Sequence, residues 1–88
     1  MELDIKHIPE MNRFETTVDD STGFVVYRTD NNALDILHTI VPMPIEGRGI
    51  AGALVKDAYD YAKANGMKCK ATCAYAVVWL RRHPEYAE

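Results

Sequence analysis

The stretch Pro42-Met43-Pro44-Ile45-Glu46-Gly47-Arg48-Gly49-Ile50-Ala51-Gly52-Ala53-Leu54-Val55 decides the reading of this chain. It stands between an apolar, strand-like run and an amphipathic helical repeat. Two prolines end the strand, because proline cannot donate within a sheet interior. Gly47 and Gly49 then allow a sharp turn and, with no Cβ in the way, a close approach by a ligand. The first amides of the following helix have no acceptor inside the helix and point outward at the positive end of its dipole. Strand, glycine loop and helix start together make a natural anion cradle. The same residues also suit a plain strand-to-helix connection whose glycines serve only the turn.

Upstream, Arg13 to Val18 reads as a strand, and Asp19-Asp20-Ser21-Thr22-Gly23 as a turn. Phe24-Val25-Val26-Tyr27-Arg28 is β-branched and aromatic, a second strand closed by Asp30-Asn31-Asn32. Ala33 to Val41 is a third, with Leu34, Ile36 and Ile40 alternating with Asp35, Leu37, Thr39 and Val41. Apolar groups on both faces suggest a central strand covered on both sides. Short turns joining these strands imply an antiparallel meander.

Downstream, Gly49 to Ala64 has helical spacing. Ile50, Leu54, Ala58, Tyr61 and Ala62 share one face, while Lys56, Asp57, Asp60 and Lys63 lie elsewhere. Asn65-Gly66 stops the helix. Met67 to Tyr75 reads as a fourth strand, with Cys69 and Cys73 on its apolar face. Val77 to Arg82 suits a short helix with Trp79 at the edge of the core, interrupted at Pro84, with a short turn over residues 85–88. The order of elements predicts an α/β or α+β fold in one domain over residues 1–88, with a mostly antiparallel central sheet, a main helix after the glycine loop and a short C-terminal helix.

Bulk properties narrow the function classes. With 88 residues the chain buries only a modest core, and 48% apolar residues suit a globular protein. The formal charge of −3 gives no general attraction to nucleic acid. No run reaches membrane-spanning length, and Met1 to Pro9 has no continuous apolar core of a signal peptide. In an extended strand Cys69 and Cys73 lie roughly 13 Å apart, out of disulfide reach. Free thiols point to a reducing cytoplasm. The cysteine spacing lacks the pairing of structural zinc sites, so no metal is expected.

The segment His38-Thr39-Ile40-Val41-Pro42, followed by Glu46-Gly47-Arg48-Gly49-Ile50-Ala51-Gly52-Ala53-Leu54-Val55, resembles the acyl-coenzyme A loop of the GNAT acetyltransferases. The later Ala71-Thr72-Cys73-Ala74-Tyr75 and Trp79-Leu80-Arg81-Arg82-His83-Pro84-Glu85-Tyr86 narrow the resemblance to the small stand-alone GNAT-like N-acetyltransferase family of the YjdJ type. It runs over nearly the whole chain. The resemblance implies acetyl-CoA as cofactor, with its pyrophosphate on the backbone amides of Glu46, Gly47, Arg48, Gly49, Ile50 and Ala51. The pantetheine arm would lie along Ile40 and Val41. In this family a cysteine at the end of the fourth strand lies near the coenzyme A thiol, and Cys73 matches that position.

Two departures from the wider pattern stand out. The loop usually begins with Gln or Arg three residues before its first glycine, and Pro44 stands there. Ordinary GNAT enzymes also carry N-terminal helices beside the acceptor site, whereas this chain runs from one strand into the next. A tyrosine general acid is not assigned by spacing, although Tyr75 and Tyr86 are present.

An acyl-accepting thiolate at Cys73 needs a lowered pKa, from nearby cations or helix amides. Arg81, Arg82, His83 and a helix start near Val77 are the sequence-local candidates. An inert core thiol is the competing reading, and the one that fits Cys69. His38 is a candidate base for the acceptor amine, because histidine changes charge near neutral pH; a strand histidine bonded to a neighbour competes with that role. The expected function is transfer of acetyl from acetyl-CoA to a primary amine, on a small molecule or a protein lysine. The transfer would be direct or pass through Cys73. The alternative is a coenzyme A-binding or protein-interaction module without catalysis. Trp79 and Tyr86 near an open sheet end are compatible with a homodimer.

Overall fold

A computed structural model describes residues 3–87. Its strands are β1 (Lys6–Ile8), β2 (Arg13–Val18), β3 (Ser21–Asp30), β4 (Ala33–Ile40) and β5 (Lys68–Ala71). Two α-helices, α1 (Ile50–Ala64) and α2 (Ala74–Arg82), follow β4 and β5 respectively. The five strands form one sheet in sequence order. β1 to β4 are antiparallel neighbours, and β5 runs parallel to β4, reached through α1. This is a mixed α/β fold, with one antiparallel meander and one parallel pair.

The hairpin turns are tighter than the sequence suggests. Asp19 and Asp20 have φ of 49° and 66°, and Asn31 and Asn32 have 50° and 61°. Two successive residues at positive φ match the right-handed twist of a hairpin, and Asp and Asn tolerate that region. Ser21, Thr22 and Gly23 therefore belong to β3, not to the turn. β1 is an addition: its mixed residues gave no strand signal, yet it pairs with β2 from Lys6↔Glu15 to Ile8↔Arg13.

Both helices lie on one face of the sheet. α1 buries Ile50, Leu54, Val55, Ala58, Tyr59 and Ala62. Tyr61, expected on this stripe, is half-buried at its edge beside His7 and Phe14. Tyr59 takes the deeper place, fully buried, its hydroxyl donating to the Lys70 carbonyl at 2.6 Å. α1 ends at Ala64; Gly66, two residues on, takes φ +71°, and the Met67 amide returns to the Ala62 carbonyl at 2.8 Å. That is the left-handed stop expected at Asn65-Gly66.

β5 is shorter than predicted. After Ala71 the Thr72 and Cys73 amides both donate to the Ile36 carbonyl at 3.0 Å, and the chain turns into α2 at Ala74. Cys73 is thus the N-cap of a helix rather than a strand residue, and α2 begins three residues before the expected Val77. Trp79 is only 7% exposed, so it is core, not edge. It stacks on His83 and meets Tyr86 edge-on, which fastens the C-terminal turn.

A bulge in β4 decides what faces the helices. Val26 pairs with His38, but Tyr27 pairs with Ile36, leaving Leu37 as the extra residue. An extra residue reverses the alternation beyond it. Thr39, paired with the fully buried Val25, turns toward the helices. His38 and Ile40 turn to the other face, beside Val26 and Phe24. The coverage of β4 on both sides predicted from its sequence holds for Ala33 and Leu34 only; His38 and Ile40 are exposed.

Candidate functional site

The chain after β4 builds the centre of the site. Pro42 to Ile45 forms a short 3-10 turn, with the Ile45 and Glu46 amides bonded back to Pro42 and Met43. Ile45 is fully buried and anchors the loop in the core. Gly47 and Gly49 both take positive φ, +79° and +76°. Gly49 is the N-cap of α1, in the left-handed region, with no side-chain cap. The first helical bond runs from Ala53 to the Gly49 carbonyl. The amides from Gly47 to Gly52 therefore have no hydrogen-bond partner among the described residues. A Cβ built on Gly47 or Gly49 would meet nothing within 4 Å, so the space before these amides is open.

These amides open on a groove of about 560 Å³. Thr39, Ile40 and Val41 form its strand wall, the glycine loop and the first turn of α1 its floor, and Tyr75 of α2 closes it. Glu46, Gly47, Gly49, Ile50 and Ala51 all line it. Arg48 does not: its guanidinium is held by Asp19 of the β2–β3 turn at 2.8 Å.

Cys73 stands behind Thr39. Its Sγ donates to Thr39 Oγ1 at 3.5 Å. Burial alone would raise its pKa, but the Thr39 hydroxyl and the Ala76 and Tyr75 amides outweigh it and hold the thiol below its ordinary value. The protonated thiol makes no capping hydrogen bond; the ionised sulfur is what those helix-start amides favour. Arg81 and Arg82, the cations suggested by sequence, lie in the last turn of α2, at the opposite end of the helix from Cys73. Cys69 contrasts: burial pushes its thiol up, and its Sγ faces the Tyr59 carbonyl at 3.8 Å.

His38 does not line the groove. It is exposed on the uncovered face, at the bulge. That face also carries Arg13, 3.8 Å over the Phe24 ring and paired with Glu15 at 3.1 Å. β4 and β5 pair only as far as Ile36↔Ala71, while β4 continues to Ile40. A notch therefore opens beside Leu37 to Thr39, with Cys73 at its rim and His38 on its outer side.

Tyr86 is excluded as an acid near the groove, since its hydroxyl donates to Asp60 at 2.6 Å. Tyr75 has no such partner among the described residues, and its hydroxyl lies 3.3 Å from where a Gly52 Cβ would stand. Sequence reasoning left Thr39, Gly52 and Tyr75 out of the site. The first was hidden by the bulge; the other two depend on how α1 meets α2. Among the described residues no group of three His, Cys, Asp or Glu could hold a metal, and no helix is long and apolar enough to cross a membrane.

Comparison with known proteins agrees with this architecture. A family model described as GCN5-related N-acetyl-transferase matches residues 13–88. A GCN5-like N-acetyltransferase candidate from Staphylococcus aureus, solved in solution by NMR, superposes with a TM-score of 0.75 at 31% identity, over 96% of this chain and 83% of that one. Protein NATD1 of Xenopus tropicalis is 37% identical over 51 residues, 58% of this chain and 47% of that protein. The human Protein NATD1 is equally similar over 45% of its length. The matched stretch thus spans just under half of these relatives. Strand, glycine loop, helix and the match over nearly all of the chain lead to one conclusion: the chain belongs to the GCN5-related N-acetyltransferases, in their small single-sheet form.

Proposed function

We propose that this chain binds acetyl-CoA in the groove beside β4 and transfers the acetyl group to a primary amine. One observation carries the reading: the run of unpartnered amides from Gly47 to Gly52 borders a groove whose far wall, at Thr39, touches a thiol of lowered pKa. The free amides of Gly47 to Ala51 fit a diphosphate; the Glu46 amide, expected among them from the sequence, is already taken by the Met43 carbonyl. Ile40 and Val41, with Thr39, fit the pantetheine arm.

In direct transfer, the amine nitrogen bonds to the thioester carbon, the carbon–sulfur bond breaks, and the departing thiolate takes up a proton. Positioning supplies much of the rate. In the covalent route, the Cys73 thiolate bonds to the acetyl carbon and coenzyme A leaves. The amine then attacks the acetyl-cysteine and releases Cys73. His38, outside the notch, would meet an acceptor arriving from the uncovered face and take the amine proton. Acceptors on small molecules and on protein lysines both suit that open side, and the two unpaired cysteines suit a cytoplasmic protein.

Amide NMR during titration with acetyl-CoA tests the binding: shifts centred on Gly47 to Gly52 are expected, and shifts confined to the end of α2 would refute the placement. A burst of acetyl-enzyme, lost in Cys73→Ala, is the signature of the covalent route; unchanged turnover in that variant eliminates it. The uncovered acceptor face favours one second reading, a coenzyme A-binding module without catalysis. Cofactor binding with no acetylated product across a panel of amines would establish it.

A further inference from the structure

The corner where β5 turns into α2 is pinned from several sides, and one pin lies away from the groove. In the plane of the sheet, the Ile36 carbonyl takes the Thr72 and Cys73 amides, both at 3.0 Å. From the helix side, the buried Tyr59 donates its hydroxyl to the Lys70 carbonyl at 2.6 Å. From the uncovered side, Asp35 of β4 receives the Thr72 hydroxyl, whose Oγ1 stands 2.9 Å and 3.1 Å from the two carboxylate oxygens. Leu34 and Ile36 are fully buried toward the helices, so alternation puts the Asp35 side chain on the uncovered face. It is nevertheless only 13% exposed. Its charged neighbours are Arg28 of β3, with Nε at 3.8 Å, and Lys70 of β5, its partner in the ladder. A hydroxyl bonded to an ionised carboxylate makes a stronger contact than a neutral pair.

The next residue in the chain is Cys73, whose Sγ meets Thr39 Oγ1 at 3.5 Å. The β4–β5 ladder has already ended at Ile36↔Ala71, so no further strand pairing orients this corner. Thr72 reaches the uncovered face while Cys73 reaches the helix side, so fixing the first side chain fixes the direction of the second. Resting on the reading of Cys73 as the acyl acceptor, we propose that Asp35 is a positioning residue: through Thr72 it sets the β5–α2 corner so that the Cys73 sulfur stays against Thr39 and the first amides of α2. No hydrogen bond joins Asp35 to Cys73 among the described residues, and the effect passes through the Thr72 hydroxyl. As a bare charge, Asp35 would do the opposite, because a nearby carboxylate opposes formation of a thiolate. The two roles therefore differ in sign.

The pH profile of Cys73 alkylation by iodoacetamide, in the whole chain with Cys69→Ala, separates them. With Asp35→Ala the plateau of reactivity should move to higher pH, by about half a unit to one unit, the worth of one hydrogen bond. Thr72→Val leaves the carboxylate in place and should move the plateau the same way. Because Thr72 is exposed, this variant also serves where Asp35→Ala fails to fold. Asp35→Asn keeps an acceptor for the Thr72 hydroxyl and should stay at or below the native plateau. A plateau that holds or falls in Thr72→Val overturns the proposal, as does a rise in Asp35→Asn equal to that in Asp35→Ala. Alkylation needs no cofactor, so either result leaves the acetyl-transfer reading standing. Absence of an acetyl-enzyme in the native chain removes Cys73 as acceptor, and the alkylation profiles still decide whether Asp35 sets its reactivity.

Discussion

Cys73 and Cys69 are the same residue type four positions apart, and their surroundings give them opposite character. Burial raises Cys69, while Thr39 and the start of α2 lower Cys73. The thiolate is the reactive form, so a lowered pKa brings the plateau of reactivity to lower pH. Alkylation by iodoacetamide in a Cys69→Ala background should therefore level off at lower pH than for a free cysteine. Thr39→Val should move that plateau back up, and an unmoved profile would remove Thr39 from the account. Gly49 makes a different demand. At φ +76° any side chain strains the backbone, although nothing would clash with it. Gly49→Ala should cost about 1–2 kcal/mol in a urea melt and weaken acetyl-CoA binding; a silent substitution would mean the cradle tolerates another backbone shape. The glycines and Cys73 were legible from spacing and resemblance. Thr39 was not, because the bulge at Leu37 that turns it inward comes from pairing with β3 rather than from its neighbours in sequence.

Each element is held by a particular burial. α1 rests on Leu54, fully buried against the sheet, and Leu54→Ala should lower unfolding free energy by about 2–5 kcal/mol. β1 depends on His7, which stacks on Phe14 at 4.1 Å, meets Tyr61 edge-on and bonds the Tyr27 hydroxyl at 2.5 Å. Burial lowers its pKa below the ordinary 6.5, and Glu10 opposes this only in part. The folded state therefore favours the neutral ring, and an unfolded chain binds the proton more readily. Stability from this contact is present above pH 6.5 and falls as pH drops through the folded value. The urea midpoint should fall between pH 7.5 and 5.5, and His7→Phe should flatten that loss; an equal loss in both would assign it elsewhere. β1 was illegible because its residues carry no alternation. It is an edge strand whose place is set by the aromatic cluster that β2, β3 and α1 bring together. α2 was misplaced by three residues for a related reason: the Ile36 carbonyl draws two successive amides and ends β5 early.

At the scale of the whole molecule, both helices and the inner face of the sheet share one apolar cluster, from Phe14 to Trp79. Unfolding should therefore be a single transition, with Trp79 fluorescence and far-ultraviolet circular dichroism coincident in urea. Separate midpoints would divide α2 from the rest. Proline and glycine placement, β-branched runs and one amphipathic repeat were enough to give the order of the main elements, the glycine loop and the family resemblance, because these are properties of chain stiffness and local periodicity. What tertiary structure decided is which way residues face. The bulge turned His38 out and Thr39 in, the early end of β5 made Cys73 a helix cap, and the meeting of α1 with α2 set Tyr75 and Trp79 against Gly52. Those outcomes depend on hydrogen bonds and contacts between segments far apart in the chain, and no local pattern encodes them.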